Sequence, residues 1–346
     1  MPTLANAPVS SVLPHGLPVR IAASGISLPD TLINSSAFDQ HWQLQSGTTA
    51  TLSGVRQRYQ ADRGTQAEDL ACAAANQALG QAGLSAAMLD CVVSTSSTPQ
   101  QAIPCFAAQI HAALGLQGSG IPAFDLNATC LSFLVALEQL SYAIAAGRYR
   151  RVLLVAAEVP SRALNPACRY TAPLFGDGAA AVILERDDSG QAGLLAAAQQ
   201  TYSEGATACH LQAGGNRYFA AGYAQPATAH GSFFEMDGKA LYKLSARHLP
   251  DLFNQVLRQA GVTRQQLACY IPHQASGKAL AILPRLLDIP ANRIVSILAE
   301  HGNQVAASIP FTLHQAISSG KVRRGDLLAL IGTGAGVSLA VAILRY

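Results

Sequence analysis

Half of the 346 residues are hydrophobic, only 12% are charged and the net charge is +3, which suits a compact body with a large interior. These values exclude a disordered chain, and with no long Lys/Arg run they also exclude a nucleic-acid binder. The seven cysteines, at 72, 91, 105, 130, 168, 209 and 269, form no CxxC pair and no zinc-ligand cluster, so reduced thiols in a cytoplasm are expected and a metal centre is not.

Residues 1–20 read as a loose leader, because Met1 to Gly16 has neither a basic start nor a continuous apolar stretch like those of a secretion signal. No uncharged apolar run is long enough to span a bilayer, so no membrane contact is expected. QALGQAGLSAAMLDCVVST (77–95) predicts a helix stopped at Gly83 and then a short apolar strand. FDLNATCLSF (124–133) places Cys130 after a short strand and before a helix over 131–146. From Ala143, AIAAGRYRRVLLV reads as a helix end, a Gly stop, a basic turn and a buried strand. LFGDGAAAVIL (174–184), with Gly on both sides of Asp177, reads as a tight structural turn entering another buried strand.

The remainder echoes this pattern. QVLRQAGVTRQQLACYIPH (255–273) lies over 77–95 at a constant offset of 178, matching Gln77/Gln255, Gly83/Gly261, Leu89/Leu267 and Cys91/Cys269 without a gap. AISSGKVRRGDLLA from Ala316 lies over the segment from Ala143. Two echoes in the same order predict a duplicated α/β unit, 21–186 and 187–346, with parallel or mixed sheets covered by helices. Cys130 stands 13 residues before Ala143 and Asn303 stands 13 before Ala316, so the two hold equivalent places at helix starts. His273 follows the apolar segment Leu267 to Ile271 at a strand end, and the three side chains are expected to converge.

A thiol at a helix start faces unpaired N–H groups, which favour thiolate. Most cysteines in apolar stretches are merely small buried hydrophobes, and Cys130 is singled out by its company, IPHQAS (271–276) and EHGNQVAASIP (300–310). A His can hold a proton near neutral pH and an Asn amide can donate to an oxyanion, a pair suited to thioester and enolate chemistry. A plain helix cap is the alternative role for Asn303. LIGTGAGVSLAVAIL (330–344) puts Gly332, Gly334 and Gly336 in a loop between buried strands, where an N–H could serve as an oxyanion donor.

With SGVRQRY (53–59), DLNATCLSF, FGDGAAA, PHQASGKAL, HGNQVAASIP and the terminal glycines, the chain resembles the ketoacyl-ACP synthase III family of the thiolase superfamily, from about Ile21 to Tyr346. The resemblance implies a homodimer of thiolase-like, five-layered αβαβα subunits with no permanently bound cofactor. Acyl-CoA and the phosphopantetheine arm of acyl carrier protein are the implied substrates. Cys130 would accept an acyl group, and malonyl-ACP would be decarboxylated and condensed with it. His273 and Asn303 would stabilise the enolate, while the N–H groups of Cys130 and Ala335 would hold the acyl oxyanion. Leu131, Ile103, Arg162, Ser276, Lys278 and Gly334 are the implied substrate-binding positions.

The chain also departs from the family. No Trp stands where CoA-using members carry one for adenine stacking, and Trp42 is out of register. Ser276 replaces an Asn that helps seat pantetheine, Lys278 replaces an Arg, and Leu131 and Ser132 follow the nucleophile where Ala and Gly are common. The last change points to a specialised ketosynthase, such as one of secondary metabolism. Ile103 stands where related olefin-forming enzymes carry a Glu base, which favours decarboxylation over direct deprotonation. The alternatives are a non-condensing acyltransferase acting on an alcohol or amine, and a non-decarboxylative acyl-CoA condensing enzyme. A thiolase would need a second Cys in the glycine loop, and Gly332 to Gly336 holds none.

Overall fold

Apolar runs and glycine stops set the elements of the chain, whose computed structural model describes residues 16–215 and 231–346. The first half carries β1 (Val19–Ser27), β2 (Thr31–Asn34), α1 (Ser35–His41), α2 (Thr48–Ser53), β3 (Gln57–Gln60), α3 (Ala67–Ala82), β4 (Cys91–Ser94), α4 (Phe106–Ala113), β5 (Ala123–Asp125), α5 (Ser132–Ala145), β6 (Arg151–Glu158) and β7 (Gly178–Arg186). There follow β8 (Gly193–Thr201), β9 (Cys209–His210), β10 (Glu235–Met236), α6 (Gly238–Ala260), β11 (Leu267–Pro272), α7 (Gly277–Leu287), α8 (Leu298–His301), α9 (Ser308–Ser318), β12 (Leu327–Gly334) and β13 (Ser338–Arg345). The expected leader lies outside the described residues as far as residue 15. Beyond it, Leu17 is buried and bridges to Leu194, so residues 17–20 belong to the folded body rather than to a leader.

One sheet has the order β1-β7-β6-β4-β5 and the other β11-β12-β13-β8. The shared part of their topology is the same. β4 and β6 are parallel, as are β11 and β12, while β6 to β7 to β1 and β12 to β13 to β8 run antiparallel. The place of β5 beside β4 is taken in the second sheet by a single parallel bridge, Tyr270 to Ile294. The sequence echo has a local cause: α3 and α6 both end on a left-handed glycine, Gly83 at φ 64 and Gly261 at φ 66.

Helices cover these sheets in five layers. α3 and α4 pack on one face of the first sheet through Leu70, Ala74, Ala78, Phe106 and Ile110. α5 and α9 lie between the sheets, where Leu134, Leu137, Ile309 and Leu313 meet β-strand side chains from both. α6 and α7 cover the outer face of the second sheet with Leu252, Phe253, Val256, Leu283 and Leu287. β6 and β7 are covered on both faces and read as continuous apolar runs. No helix among the described residues is long and apolar enough to cross a membrane.

Candidate active site

α5 begins two residues after Cys130, and the turn before it is tightly held. Thr129 takes a left-handed φ of 52, the Ser132 hydroxyl accepts the Ala128 N–H at 2.9 Å and donates to the Thr129 carbonyl at 2.6 Å. The residue keeps partial exposure, but its thiol is enclosed by protein and its pKa is pushed up to about 12. Burial is the main cause, and neighbouring Cys209 and Glu158 further oppose a thiolate; the N–H groups of Ala335 and Cys130 act the other way. The expected thiolate is therefore corrected to a resting thiol, because two N–H groups do not offset the lost hydration.

The other two expected site residues come from the second half. His273 lies one residue past β11, and its N–H donates to the Ile331 carbonyl of β12 at 2.7 Å. Its imidazole is buried, which lowers its pKa to about 4 and keeps it neutral at physiological pH, and Nδ1 makes no hydrogen bond within the protein. Asn303 follows Gly302 (φ 70), the counterpart of left-handed Thr129. Its Oδ1 accepts the Val305 N–H at 2.9 Å and lies 3.4 Å from the Ser308 hydroxyl. Val305 N–H can only donate, so the amide nitrogen must face the other way, toward the Ala275 carbonyl at 3.4 Å. Ala275 in turn donates to the His273 carbonyl at 3.0 Å, which ties the His and Asn loops together.

β12 links this pair to the cysteine. It runs beside β11, the strand that His273 follows, and it delivers Ala335 to the Cys130 thiol. Its glycines are a correction to the expected loop: Gly332 and Gly334 lie within the strand, paired with Ala340 and Ser338, and only 335–337 form the turn. They are small because the nucleophile turn packs on them. A Cβ at Gly332 would lie 2.2 Å from Leu131 Cδ2, and one at Gly334 would lie 2.9 Å from Thr129 Oγ1. The other motifs brace the same loops. Gly176 of FGDG donates to the Asn303 carbonyl at 3.1 Å, and a Cβ there would lie 2.0 Å from the His301 carbonyl. Gly54 and Gly277 bring SGVRQRY and HQASGK into backbone contact, a Cβ on Gly54 falling 2.6 Å from Gly277 Cα.

The turn at Cys130, the strand-end His273 and Asn303, which is linked to the His273 loop through Ala275, make a candidate site, and the chain that carries it can be set beside known proteins. Residues 124–203 match the family model 3-oxoacyl-[acyl-carrier-protein (ACP)] synthase III, and 257–346 match that of its C-terminal part. The chain is 33% identical over 328 residues to a beta-ketoacyl-[acyl-carrier-protein] synthase III of Laribacter hongkongensis, covering 94% of this chain and 99% of that one. The chain belongs to the ketoacyl-ACP synthase III family. The crystal structure of a 3-oxoacyl-(acyl carrier protein) synthase III from Pseudomonas aeruginosa PAO1 superposes with a TM-score of 0.84 at 33% identity, covering 95% of this chain and 98% of that one. Xanthomonas campestris OleA, at 20% identity and a TM-score of 0.83 over 95% of this chain and 98% of that one, shares the fold.

The structure sorts the remaining expected residues. Leu131 is wholly buried against Gly332 and Gly334, beside Cys130. Ser276 caps α7, its Oγ accepting the Ala279 N–H at 3.2 Å, and Lys278 is exposed on the first turn of that helix. Arg162 is also exposed, and it binds the carbonyls of Asp62 and Thr65, so its guanidinium braces a loop. Ile103 is 81% exposed, so within this chain it is no part of a buried pocket wall. Trp42, out of register in the sequence, still meets a cation: the Arg169 guanidinium lies 5.9 Å from its ring centroid. Sequence reasoning missed Glu158 and Cys209, the two groups that electrostatically face Cys130. Only the acid closing the apolar run VLLVAAE signalled Glu158.

Proposed function

We infer that this enzyme condenses an acyl thioester with malonyl-ACP by a decarboxylative Claisen reaction through an acyl-Cys130 intermediate. The observation that carries the reading is the Cys130 thiol held beside the Ala335 N–H, with neutral His273 bonded to the same strand and oriented Asn303 linked to it through Ala275. In the first step the thiol sulfur bonds to the acyl carbon of an acyl-CoA or acyl-ACP. Its proton passes to a base, for which neutral His273 is competent, and the carrier thiol departs. The N–H groups of Cys130 and Ala335 stabilise the oxyanion. In the second step malonyl-ACP loses CO₂, and donors from His273 and Asn303 stabilise the resulting enolate. Its carbon attacks the acyl group, and Cys130 leaves as thiolate and is reprotonated.

The same reading assigns one reactive helix start to each half, 21–186 and 187–346. Leu131 narrows the space next to the nucleophile and suits a specialised ketosynthase. A homodimer is part of the proposal, because β5 is an outer strand, Phe124 on it is 37% exposed, and its neighbour Asp125 accepts the Phe106 and Ala107 N–H groups just after the exposed Ile103. Ile103 cannot act as a base, in keeping with decarboxylation. Lys239, Lys243 and Arg247 form an exposed basic row along α6 that suits an acidic carrier protein. Free thiols at all seven cysteines suit the cytoplasm.

Intact-mass analysis after incubation with acyl-CoAs and acyl-ACPs tests the reading. One acyl group should load on wild type and none on Cys130→Ser, and malonyl-ACP should then discharge it with release of CO₂. Discharge to an alcohol or amine without CO₂ would overturn it in favour of a non-condensing acyltransferase.

A further inference from the structure

Glu158, the last residue of β6, is wholly buried, and none of the steps above uses it. Donors from two distant segments surround its carboxylate. The N–H groups of Ser97 and Thr98 donate at 2.6 and 3.0 Å, and the Thr98 hydroxyl adds a further bond, all from the chain that leaves β4 toward Ile103. The short turn Val305–Ala307, just beyond Asn303, packs on the same strand end, with Ala306 and Ala307 against Ala156 of β6, and the Ala306 N–H favours the ionised carboxylate. The carboxylate also faces Cys130 closely enough to oppose its ionisation. No cation forms an ion pair with Glu158 among the described residues. Burial raises its pKa to about 7 in spite of these donors. An acid buried without a counter-ion is costly, whereas a Gln of the same shape would avoid the charge.

We propose that Glu158 is a positioning residue of this active site: its carboxylate clamps the Ser97–Thr98 segment to the end of β6, on which the helix start that carries Asn303 packs, and it sets an acidic group beside Cys130. The proposal rests on the roles given to Cys130 and Asn303 above. The bonds order the segments that meet at the end of β6, where the turn after Asn303 packs, and the charge lies beside the nucleophile. Removing the charge therefore has effects of opposite sign on the two residues. Of the titratable groups around Cys130, Glu158 at the end of β6 and Cys209 on β9 oppose its ionisation, while His273, which the loading step sets beside it, is neutral and carries no charge. Cys209 is itself a thiol with its pKa pushed up to about 12, which leaves Glu158 as the group that becomes anionic above about pH 7.

Glu158→Gln tests this with two readouts. The first is iodoacetamide alkylation of Cys130, followed by peptide mass spectrometry across pH, with the buried thiols of Cys91 and Cys269 as unreactive controls for an intact fold. The Cys130 profile should move down by about one pH unit, giving roughly tenfold faster labelling at about pH 8. The second is single-turnover condensation of the preloaded acyl-enzyme, which should slow by roughly tenfold or more as Asn303 loses its support. If both readouts stay at wild-type values, or if condensation slows while the thiol profile does not move, the proposal is overturned. Should Cys91 and Cys269 become reactive in that variant, Glu158→Asp decides. The shorter carboxylate keeps the charge but spans the two segments poorly, so the thiol profile should stay and condensation should slow; wild-type condensation would overturn the clamp. If the functional reading itself fails, wild type takes up no acyl group, and the alkylation profiles still judge Glu158.

Discussion

Asn303→Ala separates a catalytic amide from a helix cap. The side chain accepts the Val305 N–H at 2.9 Å, lies 3.4 Å from the Ser308 hydroxyl and presents its amide toward Ala275 at 3.4 Å. Val305 is a non-glycine residue at φ 49, and the short Asn303 bond is what fixes its N–H. Truncation leaves that half-buried donor without its partner, which costs on the order of 1 kcal/mol of stability. Loss of one oxyanion-type donor costs a further factor of about 10²–10³ in the step it serves. Acyl loading onto Cys130 should stay within a few-fold of wild type, because Ala335 and the nucleophile turn are untouched, while condensation should fall at least roughly a hundredfold. Denaturant unfolding gives the first quantity, and rapid-quench mass spectrometry of loading and of malonyl-ACP discharge gives the second. Lost stability with condensation at nearly the wild-type rate would make Asn303 a cap only. Blocked loading with intact condensation of a preloaded enzyme would refute the division of labour between the halves.

Gly332→Ala should destabilise the protein by about 1–3 kcal/mol, since its Cβ would fall 2.2 Å from Leu131 Cδ2; combined with Leu131→Ala, the loss should be smaller than the sum of the two single losses, which a double-mutant denaturation cycle reads. His273 sets a pH dependence. Its folded pKa of about 4 lies below the ordinary 6.5, so the unfolded chain binds the proton first and stability is lost as pH falls from 6.5 toward 4, by about 3 kcal/mol in all. His273→Gln should lack that part of the decline, and an unchanged difference between urea midpoints at neutral and acid pH would refute it. Phe124→Asp should shift sedimentation from dimer toward monomer; an unaltered dimer would place the interface away from the β5 edge.

The duplicated architecture was legible in the chain because its signals are local. Apolar spacing and glycine stops recur at the offset of 178, and the same residues end α3 and α6 on left-handed glycines in the structure. The equivalence of Cys130 and Asn303 was legible for the same reason: each follows a left-handed residue, Thr129 or Gly302, and precedes a helical turn. The strand placement of Gly332 and Gly334 was not legible, since a glycine run reads as a loop until the side chains packed against it, Leu131 and Thr129, are known. Nor was the bracing role of Arg162, whose carbonyl partners at 62 and 65 lie about a hundred residues away. The ionisation of the site was decided by tertiary structure alone. Cys130 is held as a thiol and His273 as a neutral imidazole because segments distant in sequence strip water from both, and Glu158 gains its donors only where β6, the chain after β4 and the start of α9 meet. Desolvation and long-range hydrogen bonds depend on what surrounds a side chain in space, which no spacing of residues along the chain encodes directly.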